Sequence, residues 1–148
     1  MKILLIAPSI RESLLNGLDD GMPKKVSKNF GVYPHLGIFY IASVLRQNHF
    51  DVRILDANTE GLPKNRIVER IKEYKPDLIG ISSMTFTFLY ALDLARMVKS
   101  ELSVPVVFGG PHTSIYPREV ISHGCVDIGV IGEGERTFLE VANLLRQR

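Results

Sequence analysis

One feature limits this chain more than any other: a short apolar run followed by a stretch of helical period, repeated five times. Residues 2–7 are apolar after the first, as expected of a strand buried on both faces. Similar β-branched runs follow at 51–55, 78–82, 105–109 and 127–131, each bounded by Gly, Pro, Asp or Asn. Between them Ile38, Ile41, Ala42 and Leu45 share one helical face, as do Ile67, Val68, Ile71 and Tyr74. Phe88, Leu92, Ala95 and Leu102 mark a longer helix, and Phe138, Val141, Ala142 and Leu145 a final one. A short helix is predicted over 117–122, with Pro117 in its first turn. Strands alternating with helices mean βαβ units and right-handed crossovers. The prediction is a flavodoxin-like, Rossmann-like three-layer α/β/α domain over 1–148. Its sheet has five parallel strands in the order 2-1-3-4-5.

Composition narrows the function. There are 18 Lys and Arg against 16 Asp and Glu, a net charge of +2, which gives no electrostatic case for nucleic acid. No apolar run is long enough to span a bilayer, and Lys2 leads straight into a strand rather than a signal peptide. A cytoplasmic location is expected. The single cysteine, Cys125, supports neither an internal disulfide nor an iron–sulfur cluster, and small apolar packing is its expected role.

In such sheets ligands bind beyond the carboxyl ends of the strands, so those ends carry the chemistry. Residues 8–33 follow the first strand with no steady period, and so long a connection is either functional or disordered. The first strand ends in Ala7-Pro8-Ser9, without the Ser/Thr-rich phosphate loop of a flavodoxin or the acidic pair of a receiver domain. After the third strand Ser82, Ser83, Met84, Thr85 and Thr87 form a hydroxyl-rich stretch that suits helix capping or ligand contact. After the fourth, Gly109-Gly110-Pro111-His112 is either a tight turn or a place where a bulky ligand meets the main chain. After the fifth, Gly132-Glu133-Gly134-Glu135 precedes Thr137. Its two carboxylates would repel a pyrophosphate but would accept hydrogen bonds from amide or hydroxyl donors. His35 and His112 are the edge candidates for acid–base or metal work, although the histidines lack zinc-like spacing with Cys125.

Taken together, Tyr33-Pro34-His35-Leu36-Gly37, residues 52–58, residues 75–82, the Gly109-Gly110-Pro111-His112 turn and Gly132-Glu133-Gly134-Glu135 with Thr137 resemble a known family. It is the N-terminal cobalamin (vitamin B12)-binding domain of cobalamin-dependent radical SAM proteins. The resemblance implies a corrin over the carboxyl edge with its nucleotide tail beside the sheet. Ser82, Met84 and Thr85 would line the tail cleft, and Gly109, Gly110, Pro111 and His112 would form the turn giving it room. Gly132, Glu133 and Gly134 would border the far side, Thr137 would open the last helix, and Pro8 would lie near the lower face. The Asp-x-His-x-x-Gly run that supplies a cobalt ligand in other cobalamin domains is incomplete around His35, which has Tyr33 and Ile38 in place of the Asp and the Gly. Cobalt is therefore expected without a histidine from this chain. The resemblance further implies a C-terminal radical SAM barrel in cis, carrying a 4Fe-4S cluster and S-adenosylmethionine. This chain is then expected to be a fragment that binds cobalamin without catalysing anything itself. The other readings are a stand-alone flavodoxin-like nucleotide or flavin binder acting through His112 and Glu133, and a non-catalytic interaction domain.

Overall fold

A computed structural model describes residues 1–17 and 33–147. Five parallel strands, β1 (Lys2–Ala7), β2 (Asp51–Asp56), β3 (Leu78–Ser82), β4 (Val106–Gly109) and β5 (Ile128–Gly129), pair in the order β2-β1-β3-β4-β5. β1 lies in the centre, with Leu4 opposite Arg53 on one side and Ile79 on the other. Fold class and strand order are as the alternation requires. The chain reverses its direction of winding after β2, so the carboxyl ends of β1 and β3 flank the switch point.

Alternation along the strands divides the core into two layers. Leu4, Ile6, Ile79, Ile81, Val106 and Phe108 face α4 (Lys64–Tyr74) and α5 (Phe88–Glu101), meeting Ile67, Ile71, Leu92, Ala95 and Val98. Ile3, Leu5, Leu78 and Val107 face α2 (Leu36–Gln47) and α8 (Gly134–Arg146), meeting Ile38, Ala42, Leu45, Phe138 and Ala142. The predicted helical faces are the ones that pack. The described residues also form short helices α3 (Ala57–Glu60), α6 (Pro111–Ile115) and α7 (Pro117–Ser122) and a 3-10 turn over Thr85–Thr87. The short helix expected from Pro117 is α7. Among the described residues no helix is long and apolar enough to cross a membrane.

Four sequence expectations need correction. Part of the aperiodic stretch is helical: α1 spans Ile10–Gly17, its start held by Ser9 Oγ, which accepts from the Glu12 amide at 3.2 Å, and by Asn58 Oδ1, which accepts from Ile10 N at 3.0 Å. A Ser followed three residues later by Glu is a helix-start signature, and it outweighs the mixed composition behind it. Residues 18–32 of that stretch lie outside the described residues. β5 is shorter than 127–131 because its ladder closes after Gly129, although Val130 N still reaches Phe108 O at 2.8 Å. The turn after β4 continues directly into α6. Finally α8 opens at Gly134 rather than at Thr137, which stands a full turn inside the helix.

Gly80 shows how tightly the α2/α8 layer is packed. A Cβ there would lie 2.7 Å from the Phe138 ring and 2.8 Å from Leu5 Cδ2. The absent side chain lets Phe138 rest on the sheet. Gly80→Ala is expected to destabilise the domain by about 1–3 kcal/mol through overpacking. A urea titration showing no loss of stability would remove this account of the glycine.

Candidate functional site

Three turns at the carboxyl edge are sewn together by main-chain and hydroxyl bonds. Ser83 N donates to Gly109 O at 2.9 Å, which carries the β3–β4 ladder one residue past its end, and His112 N donates to Ser83 O at 3.2 Å. Gly110 crosses this seam at φ +92, where a Cβ would be 2.7 Å from both Ser82 Oγ and Ser83 O. Such backbone is almost confined to glycine. Ser114 Oγ, on α6, donates to Gly110 O at 3.2 Å and accepts from Gly132 N at 2.9 Å, tying the β5 turn to the β4 turn.

Between these turns and α2 and α8 lies a cavity of about 310 Å³. Its floor is apolar, built from Leu5, Val107, Val130 and Phe138, and its walls include Gly37, Gly109, Gly132 and Gly134. That volume is in the range of small-molecule sites. The wall glycines are not all alike. At Gly134 a Cβ would collide with Ile41 at 2.9 Å, whereas at Gly109 it would meet nothing nearer than 4.0 Å. At the first the atom struck is the tip of the Ile41 side chain, which can shift. At Gly109 the protein leaves space that its own atoms do not use.

His35 precedes α2 and stands where the cavity adjoins a smaller recess of about 20 Å³ beside Pro8, Tyr33 and Met84. Its Nε2 is 3.1 Å from Ser82 Oγ. Burial pushes its pKa down, against a smaller upward pull from Asp56, so the ring is neutral at pH 7.

The model for the B12 binding domain matches residues 26–142. The chain belongs to the B12-binding domain family. It is 36% identical over 147 residues to an uncharacterized methyltransferase of Pyrococcus horikoshii, a match covering 98% of this chain and 29% of that protein. Among solved structures it resembles the radical S-adenosylmethionine methyltransferase TsrM of Kitasatospora setae, with TM-score 0.77 and 18% identity over 99% of this chain and 24% of that one. It also resembles the cobalamin-dependent S-adenosylmethionine radical enzyme OxsB, with TM-score 0.78 and 20% identity over 99% of this chain and 19% of that one. The chain thus spans less than a third of each of these proteins.

Most residues singled out in this B12-binding domain meet at one place. Ser82, Gly109, Gly110, Pro111, Gly132, Glu133 and Gly134 line the cavity, and Pro8 and Met84 share the adjoining recess with Ser82. Thr85, His112 and Thr137 line neither. Thr137 is exposed on α8. His112 is 4% exposed and turned to the opposite layer, stacked on Phe88 with ring centroids 4.0 Å apart. Successive residues of a helix differ by about 100° in direction. Pro111 and Ser114 therefore share the cavity face while His112 points behind it. His112 is a strut: its amide holds Ser83 O, and its Nδ1 is 3.3 Å from Thr85 Oγ1. Among the described residues no three His, Cys, Asp or Glu side chains cluster as metal ligands would.

Ser114 is passed over in the sequence reading, and Gly37 and Gly80, although they lie in stretches that carry the resemblance, receive no place in the site there; all three line the cavity. Gly80 had a signal, since a glycine inside a buried central strand marks a close approach. Ser114 had one only through the i, i+3 relation to Pro111 once α6 is known.

Burial lowers the pKa of both His112 and His35 from the ordinary 6.5, and Glu119, 4.0 Å from His112 Nε2, only partly opposes this for His112. Below pH 6.5 the unfolded chain takes up protons that these folded histidines refuse. Stability is therefore expected to fall as pH drops below that value, until the lowered pKa values are reached. Thermal midpoints measured across this window should slope downward with acid, and His112→Gln should flatten the slope. An equal slope in the variant would show that His112 does not titrate on unfolding.

Proposed function

We propose that this domain holds a cobalamin for a longer radical SAM enzyme. The observation that carries the reading is the open cavity at the switch point, walled by glycines and hydroxyls, in a chain of the B12-binding family. A space of about 310 Å³ suits a bicyclic aromatic base and is far too small for a corrin, which leaves the macrocycle to the exposed edge above it. In this reading Ser82, Gly109, Gly110, Pro111, Gly132, Glu133 and Gly134 hold the tail, with Pro8 and Met84 flanking it. Ser82 and the backbone of the two turns orient the base, while Val107, Val130 and Phe138 exclude water from its faces. Bound cobalamin would supply methyl-group transfer or one-electron chemistry at cobalt.

The rim supports a neighbouring domain. Leu36 and Tyr40 on α2, Phe86 after β3, Ile115 beside the β4 turn and Ile131 after β5 are all large, apolar and at least 47% exposed at one edge. A patch of that kind suits burial against a partner. The partner proposed is a radical SAM barrel of the same protein, carrying a 4Fe-4S cluster and S-adenosylmethionine. Methyl transfer is the favoured reaction class, because the Pyrococcus horikoshii relative is named a methyltransferase. A flavin or nucleotide phosphate finds less support, since Glu133 and Glu135 stand where its cradle would be. We further propose that His35 does not ligate cobalt, because its Nε2 is engaged with Ser82.

Titration with hydroxocobalamin is expected to shift its visible spectrum and to leave the corrinoid with the protein through gel filtration. Gly109→Val should fold normally yet lose at least about tenfold in affinity, because a Cβ there comes no nearer than 4.0 Å to its neighbour Val130 and the added side chain enters the site. Gly110→Val should fail earlier, at the level of stability, because of its left-handed backbone and the Ser82 and Ser83 contacts. Undiminished corrinoid binding by a folded Gly109→Val protein would argue that the cavity is not the tail site. For His35→Ala the spectrum of the bound corrinoid should show no loss of an axial nitrogen.

A further inference from the structure

We propose that the cavity selects the base of the nucleotide tail, taking a benzimidazole in preference to a purine. This deepens the cobalamin reading above and rests on it.

The cavity wall changes character with depth. Its polar side chains, His35, Ser82, Ser114, Glu133 and Glu135, stand at the end of β3 or in the turns and helices beyond the sheet edge. The floor is reached two residues before the strand ends, at Leu5 in β1, Gly80 in β3 and Val107 in β4. At about 3.3 Å per residue, that places it about 6–7 Å below the edge. Leu5, Val107, Val130 and Phe138 are each at most 4% exposed and carry no polar side-chain atom. The main chain supplies no substitute. Leu5, Gly80 and Val107 lie in the inner strands, paired with a neighbour on each side, so their amides and carbonyls are spent in the ladders. Val130 N donates to Phe108 O at 2.8 Å, and Phe138 lies inside α8. The mouth is polar and the deep end is an apolar slot.

A base carried on a tail enters this slot in one direction. In benzimidazoles and purines alike the five-membered ring bears the ribose, so the six-membered ring leads toward the floor. The ribose and phosphate stay at the open mouth, joined to the macrocycle outside. At the mouth the two bases are alike, since each has an imidazole ring there with one nitrogen free to meet Ser82. They differ in the leading ring. The dimethylbenzimidazole of cobalamin presents carbon and two methyl groups, which gain from burial against Leu5, Val107 and Phe138. Adenine presents two ring nitrogens and an amino group, which would lose their water and find no partner on that floor.

The test titrates the chain by absorbance with aquacobalamin, with the same corrinoid carrying adenine in place of dimethylbenzimidazole, and with cobinamide, which lacks the nucleotide. The first two affinities are referred to the form with its base off cobalt, whose share in each free corrinoid comes from that corrinoid's own acid titration. The dimethylbenzimidazole corrinoid is expected to bind at least about tenfold more tightly than the adenine one. Val107→Thr puts a hydroxyl on the floor with little change of volume and should narrow the gap at least about threefold. Val130→Thr makes the same comparison where Val107→Thr impairs folding. Equal affinities, or tighter binding of the adenine corrinoid, would overturn the selection, as would a gap unchanged in a folded threonine variant. The comparison on the unaltered chain needs no variant and decides the matter even where both substitutions impair folding. If cobinamide binds as tightly as the complete corrinoids, or none of the three binds, it is the reading of the cavity as a tail site that falls.

Discussion

The domain's chemistry depends on one close approach, the crossing of the Gly110 turn against the end of β3. Nothing larger than hydrogen fits there, because Ser82 Oγ and Ser83 O would each lie 2.7 Å from a Cβ. That contact fixes where β3 and β4 stop, and the bonds from Ser83 N to Gly109 O and from His112 N to Ser83 O lock it. With those ends fixed, Ser82 and Gly109 stand on one wall of the cavity while α6 begins at Pro111 on the other side of the turn. His112 supports the arrangement from behind. Among the described residues its Nε2 has no hydrogen-bond partner, which costs about 1–3 kcal/mol of desolvation, and the ring stacks on Phe88.

The fold is legible because the inner strands β1, β3 and β4 are buried on both faces. A continuous apolar run has few other homes in a chain of this kind, and helices alternating with such runs leave a doubly wound sheet as the natural solution. Sheet order and both packing layers follow from that pattern. The short elements did not follow. α1 hides in a stretch whose charges and glycines disguise its Ser9 and Glu12 start, and α3 depends on Asp56 Oδ1, which accepts from Asn58 N and Thr59 N, both at 3.1 Å. Four or five residues hold too little periodicity to be distinguished from a turn.

The candidate site was legible to the level of the turn but not of the side chain. Sequence places Gly109, Gly110, Pro111 and His112 together at one strand end. Only the rotation of α6 separates Pro111, which faces the cavity, from His112, which supports it. Thr137 illustrates the same limit: the sequence expectation starts the helix at Thr137, three residues after its start at Gly134, and a helical residue moves to another face within a single step. Positions at strand ends survive such small errors, because the sheet edge gathers them whatever their rotation. Positions within helices do not.

Glycine usage finally separates architecture from function. Gly80 and Gly110 are required by neighbours that a Cβ would strike at 2.7 Å, so packing alone accounts for them, whereas at Gly134 it would strike only the tip of the half-buried Ile41 side chain, which can shift. Gly37 and Gly109 are different. At Gly37, in the first turn of α2, a Cβ would meet only the His35 ring among the described residues, at 3.9 Å, so alanine would fit there. Selection for stability alone would fill both positions, covering apolar floor that the open cavity leaves to water. Keeping them empty makes sense if another molecule covers that floor. Whatever binds there recovers the burial that the two glycines forgo, so occupancy stabilises the fold in proportion to ligand concentration over its dissociation constant.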